Sequence, residues 1–167
     1  MNPITLSVEQ LVDKVLLGTY TYTDALRRVR TLKQFLLNQV FASALANFSA
    51  ENEADNAWLS GLGTEVMSQF NQQNIYAQTL EIENSIKKIQ PMIIYLPFEI
   101  PQGEVVRVGM KLRADYGPHF LVDFRFDPNL IAGPALVYKS IYKDYSVRAK
   151  IEENSQQIIG IVKGYLK

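Results

Sequence analysis

No cysteine occurs among the 167 residues of this chain, which excludes disulfides, thiolate zinc sites, iron–sulfur clusters and cysteine nucleophiles. A single histidine, His119, leaves little for metal or triad chemistry unless carboxylates or a serine converge on it. Charge of one sign is not in excess either. Seventeen basic and seventeen acidic side chains cancel, so no whole-molecule field draws in nucleic acid or an anionic membrane surface. Long hydrophobic runs are missing too. The longest uncharged stretch, "QFLLNQVFASALANFSA", is interrupted by Asn38, Gln39, Ser43 and Asn47 and falls short of the roughly 20 mostly apolar residues that span a bilayer. The N-terminal "MNPITLSVEQLVDK" lacks a basic n-region followed by an apolar h-region, so a cleaved secretory signal is not expected. What is present is a hydrophobic content of 47%, enough for a chain that folds around a core as one domain or two small ones.

From Leu6 to about Gln90 the apolar residues recur at helical spacing. Ser7 with Gln10 three places on predicts a capping box, and Leu11, Val12, Val15 and Leu16 form the stripe that follows. Thr23 is placed to cap a second helix, whose Leu26, Val29, Leu36, Leu37, Val40, Phe41, Ala44 and Phe48 keep one apolar face. Ser49 and the acidic "AENEAD" suit a third N-terminus, because carboxylates complement the positive end of the helix dipole. Trp58, Leu62, Val66 and Phe70 continue it, weakened by Gly61 and Gly63. A fourth helix, Asn74 to Ile89, has a narrow stripe of Ile75, Thr79, Ile82, Ile86 and Ile89, which suits a linker helix or a coiled-coil contact better than the centre of a bundle.

The pattern changes at Pro91, which predicts a helical domain over residues 1–90 and a small α+β domain over 91–167. "MIIYLPFEI" is rich in β-branched and aromatic residues, with Pro97 pointing to an edge or bulged strand. "PQGEVVRVGMKLRADYG" returns to helical spacing and closes at Gly117-Pro118. "HFLVDFRF" and "ALVYKSIY" alternate as strands, and "SVRAKIEENSQQIIGIVKGYL" reads as a final helix. The predicted fold class is therefore a bundle of about four helices followed by an α+β unit of order β-α-β-β-α.

Chemistry-bearing constellations are few. Asp115, Asp123 and Asp127 lack ligand spacing of the EF-hand type, and "GLG" at 61–63 has neither the lysine nor the preceding strand of a phosphate loop. Arg27, Arg28, Arg30 and Lys33 form the densest basic patch, suited to phosphates or an acidic partner helix, with a solvated helix face as the simpler reading. Tyr20 and Tyr22 can pack on a partner or staple the start of that helix. Leu11, Val12 and Val15 can line a groove for a partner's helix or simply fill the core.

The densest set of backbone instructions is "FRFDPNLIAGPALVYKSIYKDYSVRAKIEEN". Asp127 before Pro128 starts a turn, Gly133 permits close backbone approach, and Asp144 with Ser146 can accept from amides at the start of the last helix. With Leu130, Ile131, Val147 and Arg148 these residues resemble the C-terminal signature of the delta subunit of F-type ATP synthases. The mitochondrial member of that family is the oligomycin-sensitivity-conferring protein. The likeness covers roughly residues 91–151, with Ile151 where the family usually has leucine.

The resemblance implies a non-catalytic peripheral-stalk (stator) connector with no cofactor and no metal, holding the catalytic head against rotation so that proton flow couples to ATP synthesis. It implies two partners: the N-terminal segment of an alpha subunit for the helical half, and the C-terminal helix of the stalk (b-type) subunit for the α+β half. Nucleic acid is not among them. Its implied location is cytoplasmic, peripheral to the inner side of the cell membrane through the complex alone. Three turn positions depart from the family pattern. Ala132, Lys139 and Tyr145 stand where it has glycine, which predicts a differently shaped hairpin tip. The helical half also shows about four helices where the family has six. The alternative reading is the stalk subunit of a vacuolar- or archaeal-type ATPase, or an export-apparatus adaptor, whose members also end in a small α+β domain. Gly133 and the spacing of Asp144, Ser146 and Arg148 favour the delta reading. A small enzyme or a nucleic-acid binder would need an acid–base pair or a basic stripe, and neither is visible.

Overall fold

The computed structural model of the chain describes residues 6–41, 48–50 and 52–165. Five helices come first: α1 (Val8–Leu16), α2 (Tyr22–Phe41), α3 (Glu53–Gly61), α4 (Gly63–Met67) and α5 (Ile75–Lys87). Then follow β1 (Met92–Leu96), α6 (Gln102–Tyr116), β2 (Val122–Phe126), β3 (Ala135–Tyr138), β4 (Ile141–Asp144), α7 (Val147–Glu153) and α8 (Ser155–Tyr165). The helical half and the small α+β region are thus present in the predicted order. The segment "ALVYKSIY", read as an alternating strand pattern and also as a hairpin with its tip at Lys139, is a hairpin of two strands folded at Lys139 and Ser140.

Local chemistry explains the helix starts. The Gln10 N–H donates to Ser7 Oγ at 3.2 Å and the Ser7 N–H to Gln10 Oε1 at 2.9 Å, the capping box read from sequence. The cap of α2 is Thr21, whose Oγ1 accepts from the Asp24 N–H at 3.1 Å; Thr23 is already inside the helix. Along α2, Ala25, Val29, Leu32 and Leu36 are buried at spacings of four, three and four, and Phe35 meets Phe48 edge-on. The Phe41 side chain and Ala44, both assigned to this face, lie outside the described residues. The third predicted helix is two, broken at Leu62, with Gly63 at φ +75°.

The expectation that α5 is a narrow connecting seam is corrected by its burial. Ile75, Ile82 and Ile86 are fully inaccessible, and α5 packs along both α2 and α1. A stripe of one residue per turn is enough when the neighbours close from both sides, and Thr79 adds no unpaired group because its hydroxyl donates to Ile75 O at 2.6 Å. Each such isoleucine contributes about 1.5–3 kcal/mol by leaving water.

The sheet order is β2-β1-β3-β4, with β1 parallel to β2 and antiparallel to β3, and β3 antiparallel to β4. β1 is therefore central, not an edge. It tolerates Pro97 because the strand ends one residue earlier, where Leu96 O accepts from the Asp127 N–H at 2.8 Å. α6 makes the crossover, and its Val108 and Leu112 pack with Met92, Ile94, Phe120 and Val122 in a second core.

The two halves meet over a built interface. The Val122 N–H donates to Tyr20 O at 3.1 Å and Thr21 pairs beside Val122, so the stretch before α2 extends the sheet past β2. Leu121 is fully buried among the helical residues. Arg113 of α6 donates to Leu16 O at 2.9 Å, to Thr19 O, and to Phe120 O at 3.1 Å, with its guanidinium 4.8 Å from the Tyr20 ring centroid. Burial lowers the Arg113 pKa from its ordinary value, opposed by Tyr20.

Candidate functional site

The segment 127–148 is built from two turns that close on each other. In the first, the Asp127 carboxylate accepts from the Asn129 N–H at 3.0 Å, a local turn that Pro128 preconditions. Leu130 is then buried and Ile131 exposed. In the second, Asp144 Oδ1 accepts from the Ser146 N–H at 2.8 Å, and Ser146 Oγ accepts from the Ala149 N–H at 3.3 Å to cap α7. Two backbone bonds join the turns: Tyr145 N–H to Pro134 O at 2.9 Å, and Val147 N–H to Ala132 O at 2.7 Å. Between them sits Gly133, at φ +83°. A Cβ there would lie 2.6 Å from Tyr145 O and 3.3 Å from Ser146 Cα. Only glycine lets these two strands of backbone touch.

The replaced glycines are resolved in different ways. Ala132 and Tyr145 avoid the left-handed region, whereas Lys139 (φ +49°) and Ser140 (φ +64°) both occupy it, forming the two-residue turn between β3 and β4. This is the left-handed pair that a tight hairpin demands, here supplied by residues other than glycine. The Lys139 ammonium lies 5.3 Å from the Tyr138 ring centroid.

Electrostatics around the two turns follow from these bonds. The Ser146 backbone N–H, and then its side chain, hold the Asp144 carboxyl below the usual carboxylate range. Tyr142 is shifted up, first by partial desolvation and then by the neighbouring Asp144 charge. Arg148 is shifted up by its bond to Glu152 at 2.9 Å. Asp127, Asp144 and Ser146 each accept from a nearby amide, and Arg148 is held in an exposed ion pair with Glu152. What the arrangement can do is fix a shape and aim α7 outward.

The other candidates fall into place singly. Leu11 and Val15 are core residues of the helical half; Val12 is 6% exposed, and its edge lines a groove of about 360 Å³ with Glu9, Asp13, Lys88 and Ile89. Arg27 bonds Asp24 at 2.6 Å and also Asp55, while Arg28 reaches Asp55 at 3.4 Å, Gly18 O at 3.1 Å and Thr19 Oγ1 at 2.5 Å. Half of the basic patch is therefore internal wiring. Tyr20 packs on α6 and Tyr22 against the helical core. His119 contacts Asp13 across the two halves, with both side chains about half exposed. Asp123 pairs with Arg125 at 3.0 Å. Among the described residues no group of three histidine or carboxylate side chains is placed to hold a metal, and no helix is long and apolar enough to cross a membrane.

Sequence reasoning missed three residues. Asp55 is 1% exposed and binds two arginines, although its position in an acidic run reads as a surface helix start. Gly109 and Arg113, the hinge pins of the interface between halves, sit in an ordinary amphipathic pattern. A glycine in mid-helix was the one available signal.

A scan against protein-family models finds no match to this chain, and no curated protein matches it.

Proposed function

We propose that the chain is a non-catalytic stator connector of the delta-subunit kind, joining the catalytic head of a rotary F-type ATP synthase to its peripheral stalk. The observation that carries this reading is the closure of the Asp127–Gly133 turn onto Tyr145–Val147, with Gly133 in contact with backbone and Ser146 capping an outward helix. Every named residue of the motif that is held there is held for shape. An anchor needs extended interfaces in place of a reactive pocket, and two modest contacts on one chain raise the effective concentration of each other. The helical half would meet the alpha subunit and the α+β half the stalk helix, with membrane contact only through the complex and a cytoplasmic location on its inner side.

The firm seat of Arg113 and Tyr20 between the halves suits this task, since a stator must resist torque. Purification of the tagged full chain from its host tests the reading. Head and stalk proteins should come with it in fixed ratio, and a chain cut after Glu153, which keeps the Ser146 cap, should retain the head and lose the stalk. Retention of both by the cut chain, or absence of both from the full one, would refute the assignment.

A further inference from the structure

Three polar side chains that the connector reading does not use, Thr23, Arg30 and Gln34, line one cavity. It has a volume of about 660 Å³ and lies between α2, the segment at Ser49 and Ala50, and Asp123 of β2. Tyr22, Leu26, Arg30 and Gln34 recur at every fourth residue, so α2 turns one face to it. Its size falls in the range of about 300–1,000 Å³ that small-molecule sites take.

The groups around it are unequally engaged. Arg27 is bonded to Asp24 at 2.6 Å and to Asp55, and the Thr31 hydroxyl donates to Arg27 O at 3.1 Å. Both side chains are committed to the fold. Arg30, by contrast, makes no hydrogen bond or ion pair with any described residue. Glu83 feels its charge but is bonded to Lys87 at 2.7 Å. The side chains of Thr23 and Gln34 likewise have no partner among the described residues. On the facing wall, Arg125 takes Oδ2 of Asp123 at 3.0 Å, and no described residue bonds Oδ1.

These groups are laid out in order. Thr21 pairs in parallel beside Val122, which sets Asp123 at the Tyr22–Thr23 end of the cavity. Arg30 lies seven residues beyond Thr23, about 10 Å along the helix. One end therefore presents a carboxylate oxygen and a hydroxyl, and the other an unpaired cation with an amide one turn further on.

We propose that this cavity binds a small hydroxyl-rich molecule carrying one terminal anionic group, of the sugar-phosphate or sugar-acid class. The forked guanidinium of Arg30 matches phosphate or carboxylate oxygens. Gln34 adds a donor at the same end, while Asp123 and Thr23 exchange hydrogen bonds with hydroxyls at the other. Each end rejects a class of ligand. A neutral sugar leaves Arg30 unmatched, and a molecule with anions at both ends sets one of them against Asp123. An acidic partner helix would need an open face of α2, whereas Ser49, Ala50 and Asp123 stand across this one. The site lies apart from the Asp127–Arg148 motif, so this inference and the connector reading do not depend on each other.

The test is calorimetric titration of the full chain with glucose 6-phosphate, gluconate, glucose and inorganic phosphate at one ionic strength. Glucose 6-phosphate or gluconate should bind with a Kd below about 1 mM, at least about tenfold tighter than glucose or inorganic phosphate. Arg30→Ala should weaken that binding about tenfold to a hundredfold, the loss of a charge-assisted bond. Gln34→Ala, which removes no charge, should weaken it about twofold to tenfold. Lys33→Ala, in the same basic patch but outside the cavity, should change it less than about twofold. Unchanged thermal melting of Arg30→Ala and Gln34→Ala would show that binding, not folding, is lost.

No binding of either anionic probe at about 10 mM would overturn the proposal. Inorganic phosphate binding as tightly as glucose 6-phosphate would overturn it in favour of simple anion attraction. Equal effects of Arg30→Ala and Lys33→Ala would do the same in favour of a diffuse basic surface. None of these outcomes involves head or stalk proteins, so failure here leaves the connector reading standing, and failure of that reading leaves the cavity's chemistry intact.

Discussion

Gly109 on α6 and Tyr20 ahead of α2 share one space: a Cβ built on Gly109 would overlap the Tyr20 side chain. The absence of a side chain at one position is thus the socket for an aromatic ring at the other. Arg113, one helical turn on, closes over the same ring. This socket, with the Tyr20–Val122 backbone bond, holds the α+β region against the helices.

Gly109→Ala should therefore destabilise the protein by about 1–3 kcal/mol, the usual range for overpacking a close contact. The loss should come with faster hydrogen exchange at the Val122 amide, which donates to Tyr20 O. A stability loss with unchanged exchange there would place the strain elsewhere.

Asp55→Asn leaves Arg27 and Arg28 facing a neutral group in a buried site. Removing one partner of a buried pair costs about 3–5 kcal/mol, here at the lower end because Arg27 is partly exposed. Arg30→Ala, on the same helix at an exposed position, should stay within about 0.5 kcal/mol. Urea unfolding midpoints measure both; equal effects would mean that the Asp55 cluster is not a structural centre.

Much of this was readable in advance, and the rest failed for identifiable reasons. Capping at Ser7, the change of pattern at Pro91, the α6 helix and the turn-and-cap logic of Asp127, Gly133, Asp144 and Ser146 are all local, so sequence spacing suffices. The role of α5 was misread because stripe width says nothing about how many neighbours surround a helix. β1 reads as an edge or bulged strand only when Pro97 is counted inside a strand that stops at Leu96. Asp55, Gly109 and Leu121 acquire their meaning from partners distant along the chain, which no window of residues contains. For the candidate site, the same limit applies: Leu11 and Val15 carry a stripe that fits a groove and a core equally well, and only burial separates the two.

The hairpin offers a gain in stability. Ser140 holds φ +64°, a conformation that costs a side chain about 1 kcal/mol and glycine little. Ser140→Gly should raise the melting temperature by an amount matching about 0.5–1 kcal/mol. A drop would mean that the serine side chain stabilises the turn.

Acid should loosen the start of α7 late. Because the folded-state pKa of Asp144 is depressed by the Ser146 amide, its contribution is fully present above the ordinary aspartate range and is lost only as pH falls through the lower folded value. The Ala149 and Ser146 amides should keep their protection down through the ordinary range and lose it below. Asp144→Asn should lack this acid step. Identical acid profiles in the two proteins would show that the bond does not hold the cap.

The most direct measurement of the central claim is the mass of the assembly formed when the full chain is mixed with two segments from its host, the N-terminal segment of the alpha subunit and the C-terminal segment of the stalk protein. A ternary complex is expected, in which each segment binds without displacing the other. Competition between the two segments for one surface, or no binding of either by a correctly folded chain, would contradict the account.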